Sequence, residues 1–193
     1  MAASNVGVGQ EGVEGERRSH VVRVGLPAPY FDGQAYVNGQ IRDLSLDEYR
    51  GKWVVLVFYP LDFTFVCPTE LHAFARDLDK FHQLGAEVLA ISVDSIHSHK
   101  AWFARELPDV RYPVLSDITR QITHDYGVLE PTQGVALRGT FIVDPQGIVQ
   151  YQVVSALNLG RSTDETLRAL QALQTGELCP VDWRPGQPTL GKG

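Results

Sequence analysis

Only two of the 193 residues are cysteines, and one of them stands in the run Pro60-Leu-Asp-Phe-Thr64-Phe-Val-Cys67-Pro68-Thr69-Glu70. A thiolate is a nucleophile and a redox centre, so the surroundings of Cys67 decide what it can do. The preceding run Val54–Tyr59 is β-branched, aliphatic or aromatic throughout, the pattern of a buried strand. After Cys67, residues Leu71, Phe74, Leu78 and Phe81 recur at spacings of three and four, which lines one face of a helix. Cys67 therefore stands where a strand gives way to a helix. There, unpaired N–H groups and the positive end of the helix dipole favour a negative charge. A lone cysteine taken at random is more often buried and inert. The Pro-x-x-x-Thr-x-x-Cys spacing turns the reading toward a reactive thiol. Thr64 brings a hydroxyl that both donates and accepts, Pro60 stiffens the loop, and Glu70 falls in the first helical turn, where capping accounts for it.

The elements that must position these residues follow from the pattern on either side. A strand at 53–59 leads to a helix at about 68–83, a strand at 87–93 and a helix at about 97–106. A short strand near Val114-Leu115 and a helix at about 118–126, ended by Gly127, continue the alternation. Phe141–Asp144 and Val149–Val154 flank Pro145-Gln-Gly147 as an antiparallel hairpin. Ser162-Thr-Asp-Glu165 has capping-box spacing and opens a helix carrying Leu167, Leu170 and Leu173 that stops before Gly176. Ahead of all this, Ser45-Leu-Asp-Glu48 caps a short helix, Asn38-Gly39 closes a hairpin, and Asp32-Gly33 reads as a turn. Strands alternating with helices predict an α/β sandwich around a mixed sheet. Residues 1–19 read as a mobile extension, 20–178 as the domain, and 179–193 as a Pro- and Gly-rich arm that carries Cys179 and is extended rather than packed.

Composition narrows the chemistry. Hydrophobic residues make up 44% and charged residues 21% of the chain, ordinary for a globular domain. The net charge of −6, without a dense basic cluster, argues against a nucleic-acid surface. No apolar run is long enough to span a membrane, and the first twenty residues lack the apolar core of a secretory signal, so a cytoplasmic location is expected. Two cysteines make no disulfide framework, and they form no Cys-x-x-Cys dithiol. A disulfide must join Cys67 to Cys179 or link two chains. His97 and His99 are the one close histidine pair; they read as surface residues of a helix, and no metal site is expected.

The Cys67 motif resembles the active site of the peroxiredoxins, and in particular the typical two-cysteine subgroup that includes the peroxidase subunit of alkyl hydroperoxide reductase. Ser92-Val-Asp94-Ser, Tyr112-Pro-Val-Leu-Ser-Asp117, Asp125-Tyr-Gly-Val128, Leu137-Arg138-Gly-Thr-Phe-Ile142, Gly160-Arg161-Ser162 and Glu177-Leu-Cys179-Pro180 are similar to that subgroup in the same order, from about Val24 to Leu190. The resemblance implies a thioredoxin-like fold and a thiol-dependent peroxidase acting on hydrogen peroxide and organic hydroperoxides, without a cofactor. It implies that Cys67 is the peroxidatic and Cys179 the resolving cysteine, the latter supplied by the other subunit of a homodimer. Thr64, Arg138 and Pro60 join Cys67 in the catalytic set, with Glu70 and Arg161 as a supporting network. From its sequence context alone, Arg138 reads equally well as a surface charge before a strand. The implied reductant is thioredoxin or a flavoprotein-linked dithiol protein, and assembly of dimers into rings is left open. The competing reading is a holdase chaperone or ring scaffold whose cysteines only control assembly.

Overall fold

The computed structural model describes residues 22–193; the extension expected at residues 1–19 lies outside them. The strands are β1 (Asp32–Val37), β2 (Gln40–Ser45), β3 (Trp53–Phe58), β4 (Ala86–Ser92), β5 (Val114–Ser116), β6 (Leu129–Glu130), β7 (Val135–Ala136), β8 (Arg138–Val143) and β9 (Val149–Ser155). The α-helices are α1 (Cys67–Gln83), α2 (Ile96–Glu106), α3 (Gln121–Asp125) and α4 (Thr163–Thr175), and Leu46–Tyr49 makes a single 3-10 turn.

The unbroken apolar run of β3 is explained by burial on both of its faces. Val55, Val57 and Tyr59 pack with Leu71, Phe74 and Leu78 of α1, Trp102 of α2 and Leu170 of α4. Val54, Leu56 and Phe58, pointing the other way, pack with Tyr126, Val128 and Phe141. The sheet runs in the order β2-β1-β5-β4-β3-β8-β9, with β6 and β7 in a separate ladder. β3, β4 and β5 are parallel, whereas β8 and β9 extend the sheet antiparallel on one side and β1 and β2 on the other. The result is the expected mixed sheet flanked by helices. No helix among the described residues is long and apolar enough to cross a membrane.

Most boundaries fall within a residue or two of the sequence reading, and the differences have identifiable causes. Asn38-Gly39 closes the β1–β2 hairpin with φ of 47° and 86°, the pair of positive values a two-residue turn requires. Asp32 and Gly33, read as a turn, instead begin β1 opposite Ser45 and Leu44. The helix expected at 118–126 starts only at Gln121, because the Asp117 carboxylate accepts the N–H groups of Ile122 and Thr123 (3.2 and 2.6 Å) and Arg120 sits at φ 63°. At α4, Ser162 accepts the Glu165 N–H at 3.2 Å, but the Glu165 side chain turns to Arg168 at 2.6 Å, so only half of the capping box forms.

The tail after α4 also departs from the reading of an extended arm. Trp183 is only 5% exposed and its carbonyl accepts from Arg168 at 3.2 Å. Leu178 and Leu190 exchange backbone hydrogen bonds within this segment, directly or through Gly191. Proline and glycine preclude regular structure here, but a large indole supplies enough apolar surface to fold the segment back onto the domain.

Helices α1 and α4 lie side by side and run in the same direction. Thr163, the first residue of α4, donates to Asp77 at 2.8 Å, and Gln174 near its end donates to the Leu84 carbonyl just past α1 at 2.6 Å. The sheet is equally tight at β8, where a Cβ on Gly139 would lie 2.9 Å from Val128 Cγ1 and 3.0 Å from Phe141 Cε2. Both neighbours are buried and cannot yield freely. Gly139→Ala should therefore cost about 1–3 kcal/mol of stability through overpacking. Urea unfolding checks this, and an unchanged midpoint would show that the Val128–Phe141 contact adapts.

Candidate active site

Cys67 opens α1 and is fully buried. Pro68 follows it in the first turn, where a missing N–H costs no helical hydrogen bond. Between β3 and Cys67 the chain must turn at the end of the strand, and a polar network holds that loop. The Asp62 N–H donates to Asp94 Oδ2 at 2.8 Å. The Asp62 carboxylate takes the Tyr59 hydroxyl at 2.8 Å, the Ser98 hydroxyl at 2.7 Å and His99 Nδ1 at 2.9 Å. Phe63, at φ 55°, lays its ring 5.7 Å from that of Trp102 and under the Arg105 guanidinium. Pro60 is buried at the start of this loop. The Thr64 hydroxyl donates to the Leu61 carbonyl at 3.0 Å, and no hydrogen bond among the described residues joins it to Cys67.

Strand β8 brings Arg138 to the sulfur. Its Nη1 lies 3.5 Å from Cys67 Sγ and 2.6 Å from Glu70 Oε2, while its Nε donates to the Leu157 carbonyl at 2.8 Å. Arg161, just before α4, donates to Glu70 Oε1 through both its backbone N–H and its Nε, each at 2.8 Å. Its Nη2 reaches Glu70 Oε2 at 3.1 Å, and its Nη1 reaches the Gly139 carbonyl and the Thr140 hydroxyl. All three charged side chains are at most 4% exposed. Burial by itself would push the Glu70 carboxyl up, but hydrogen bonds and charge from Arg161, and then charge from Arg138, outweigh it and hold it below the usual carboxylate range. One carboxylate facing two guanidinium groups leaves a buried positive charge in excess beside the sulfur. That excess faces the sulfur.

Cys179 lies elsewhere. Its sulfur is half-buried beyond the end of α4, 3.5 Å from the Thr175 hydroxyl and 3.7 Å from the Ala172 carbonyl. This corrects the expectation that Cys179 sits on an extended, unpacked arm. Both cysteines are free thiols. His99 is the second correction: it is fully buried, not a surface residue, because it stands on the inward stripe Ile96, His99, Trp102 of α2. That spacing was visible in the sequence. The Asp62 partner lies within the Cys67 motif itself, so the loop-holding pair was readable from pattern, whereas the Leu157 carbonyl, a backbone contact, left no signal in residue type.

Residues 24–152 match the model of the AhpC/TSA family. The chain belongs to the AhpC/TSA family, that of the peroxiredoxins. A Mus musculus protein named thioredoxin-dependent peroxide reductase, mitochondrial, is 50% identical over 180 residues, covering 89% of this chain and 70% of its own. A Macaca fascicularis protein named peroxiredoxin-2 is 47% identical over 177 residues, covering 87% of this chain and 89% of its own. The crystal structure of a reduced 2-Cys peroxiredoxin from Plasmodium vivax superimposes with a TM-score of 0.83 at 40% identity, over 86% of this chain and 91% of that one. The mixed sheet with its flanking helices is the thioredoxin-like fold of the peroxiredoxins.

The charge network has a pH signature. Glu70 ionises more readily in the folded chain than the ~4.3 of a free glutamate, so its contribution to stability is complete above that value and fades as the pH falls through the folded one. Asp77, held low by Arg76 and Lys80, acts in the same direction. Urea midpoints measured from pH 6 down to pH 3 should fall steeply for the wild type, and start lower but fall less for Glu70→Gln. Parallel curves would remove Glu70 from the acid response.

Proposed function

We propose that this chain is a thiol-dependent peroxidase that reduces hydrogen peroxide and organic hydroperoxides at Cys67. The contact that carries this reading is Arg138 Nη1 beside the buried sulfur, backed by a carboxylate that leaves positive charge to spare. The Cys67 thiolate attacks the nearer peroxide oxygen; the S–O bond forms as the O–O bond breaks, and the leaving oxygen departs as water or alcohol after taking a proton. Arg138 faces both the thiolate and the charge that develops on the leaving oxygen. Thr64 reaches the sulfur or the peroxide by rotating its hydroxyl away from Leu61, and Pro60 keeps the loop from spreading and shields the sulfur. Glu70 and Arg161 hold Arg138 in place.

Cys67 is left as a sulfenic acid, which condenses with a thiol to give a disulfide and water. The geometry favours Cys179 of a second subunit for that step. Cys67 begins α1, and Cys179 packs at the far end of the parallel α4. The 17 residues of α1 span ~25 Å, far beyond the ~7 Å between Cα atoms that a disulfide allows. We therefore read the working unit as a homodimer with Cys67–Cys179 disulfides between chains, with rings of dimers as a further level of assembly. A dithiol protein resets the disulfide; the name of the mouse relative favours thioredoxin over a flavoprotein-linked reductant. A holdase or scaffold reading is disfavoured because it has no use for a buried excess of positive charge at a cysteine.

Cys67→Ser should abolish turnover, whereas Cys179→Ser should consume about one peroxide per Cys67 and then stall unless a small thiol is added. On non-reducing gels, oxidised wild type should run as a dimer and either variant as a monomer. Steady-state turnover by Cys67→Ser would sink the catalytic assignment, and an oxidised wild type running only as a monomer would sink the intersubunit bridge.

Arg138→Ala should slow Cys67 oxidation by peroxide on the order of a hundredfold or more. Stopped-flow rates taken beside thermal melts test this. A near-wild-type rate would reduce Arg138 to a structural residue.

A further inference from the structure

The buried stripe of α1 carries an acidic residue that the chemistry above leaves without a role. Asp77 is 1% exposed and borders Phe74, Leu78 and Phe81 on the same helix. Its Oδ2 accepts from the Thr163 hydroxyl at 2.8 Å and from Arg76 at 2.7 Å, and its Oδ1 accepts from Lys80 at 2.8 Å. Arg76 and Lys80 are largely in solvent; Thr163 is buried. Burying a carboxylate costs free energy that an apolar side chain at this position would not. Packing alone does not explain why an aspartate stands there.

Its partner does. Thr163 is the first residue of α4 and lies two residues after Arg161, whose N–H and guanidinium grip Glu70. Glu70 precedes Asp77 on α1 by about two helical turns. One face of α1 thus holds the segment from Arg161 to Thr163 with two buried carboxylates. The loop leading into this segment supplies the Leu157 carbonyl that fixes Arg138 Nε. We propose that Asp77, acting through the Thr163 hydroxyl, is a positioning residue for peroxide reduction. It anchors the start of α4, so that Leu157 directly, and Arg161 through its grip on Glu70, keep Arg138 aimed at Cys67. Released from Asp77, the first turn of α4 gains freedom, the Leu157 carbonyl and the Arg161–Glu70 pairing loosen, and Arg138 is less firmly oriented without losing its charge.

This proposal rests on the peroxidase reading and is tested with hydrogen peroxide in stopped-flow oxidation of Cys67, alongside thermal melts. Fast oxidation of the wild type is required first; its absence removes the peroxidase reading and this proposal together. Given that reaction, Asp77→Ala and Thr163→Val should each slow it by between about ten- and a hundredfold, while Thr163→Ser, which keeps the hydroxyl, stays near the wild-type rate. In an Arg138→Ala background, Asp77→Ala should cost nothing further, because the group it positions is gone. Should Asp77→Ala fail to fold, the nearly isosteric Thr163→Val carries the test. A wild-type rate in folded Thr163→Val overturns the proposal, and so does equal slowing by Thr163→Val and Thr163→Ser. A full additional loss from Asp77→Ala on top of Arg138→Ala also overturns it, since additive effects mark a residue that acts independently of Arg138.

Discussion

The site depends on one buried carboxylate. Glu70 lies between Arg138 and Arg161 with both oxygens occupied, and each guanidinium is otherwise a charge taken out of water at high cost. Without Glu70, two like charges would face each other in the interior and the site would open to solvent. With it, the pair is held a short distance apart and the surplus of one positive charge is directed at the sulfur. The interaction is thus structural and electrostatic together. It binds β8, the first turn of α1 and the approach to α4 into one unit, and it sets the field in which Cys67 resides.

That unit can exist only because three elements converge at one end of the strands. β3 lies inside the sheet with β4 and an antiparallel β8 as neighbours, so the loop leaving β3 passes beside the first residue of β8, which is Arg138. The loop carries apolar side chains but buries few of them: Phe65 is exposed and Phe63 only partly covered by Trp102. Its deepest fixed points are polar: Asp62 bonded to Tyr59, Ser98 and His99, and its N–H to Asp94. Burial, and next the neighbouring Asp62 charge, push the Asp94 carboxyl up from its usual range, the cost of placing two acids together where only one of them has a histidine beside it. A network of this kind is rigid when fully paired and gives way as a whole when one member leaves. In the cycle proposed above the same loop has to open for Cys67 to meet another thiol, and polar contacts that water can replace are better suited to that than a packed core.

The sequence carried much of this because several levels of pattern agreed. The apolar run of β3, the three-four spacing of α1 and the Pro60–Thr64–Cys67 motif all placed the sulfur at a helix start, and there it lies. What pattern missed was tertiary. Arg138 gave no sign in its own neighbours of facing Cys67, since the pairing of β3 with β8 is set by strand order and not by local propensity. His99 was misread because a histidine was taken for a polar residue, although its position on the Ile96–Trp102 stripe of α2 called for burial. The tail was misread for the opposite reason: its Pro and Gly content spoke of extension, while the single Trp183 had surface enough to dock it.

The placement of the two thiols makes the chemistry conditional on motion. Cys67 is sealed at one end of the α1–α4 pair, and Cys179 is tied to the last turn of α4 at the other, through Thr175 and Ala172. On the proposed cycle a small peroxide needs only a path to the sulfur, whereas a second thiol needs the first turn of α1 to yield and the tail carrying Cys179 to shift. The first reaction can therefore proceed in the closed form, with Arg138 in position; the second demands that the closed form be given up. Local openings of this kind draw on the weakly held parts of a fold, and here those parts are the polar loop and the tail, both lying outside the two apolar clusters that hold the sheet. The fold thereby keeps a rigid charge network for attack on peroxide next to segments loose enough to complete the cycle.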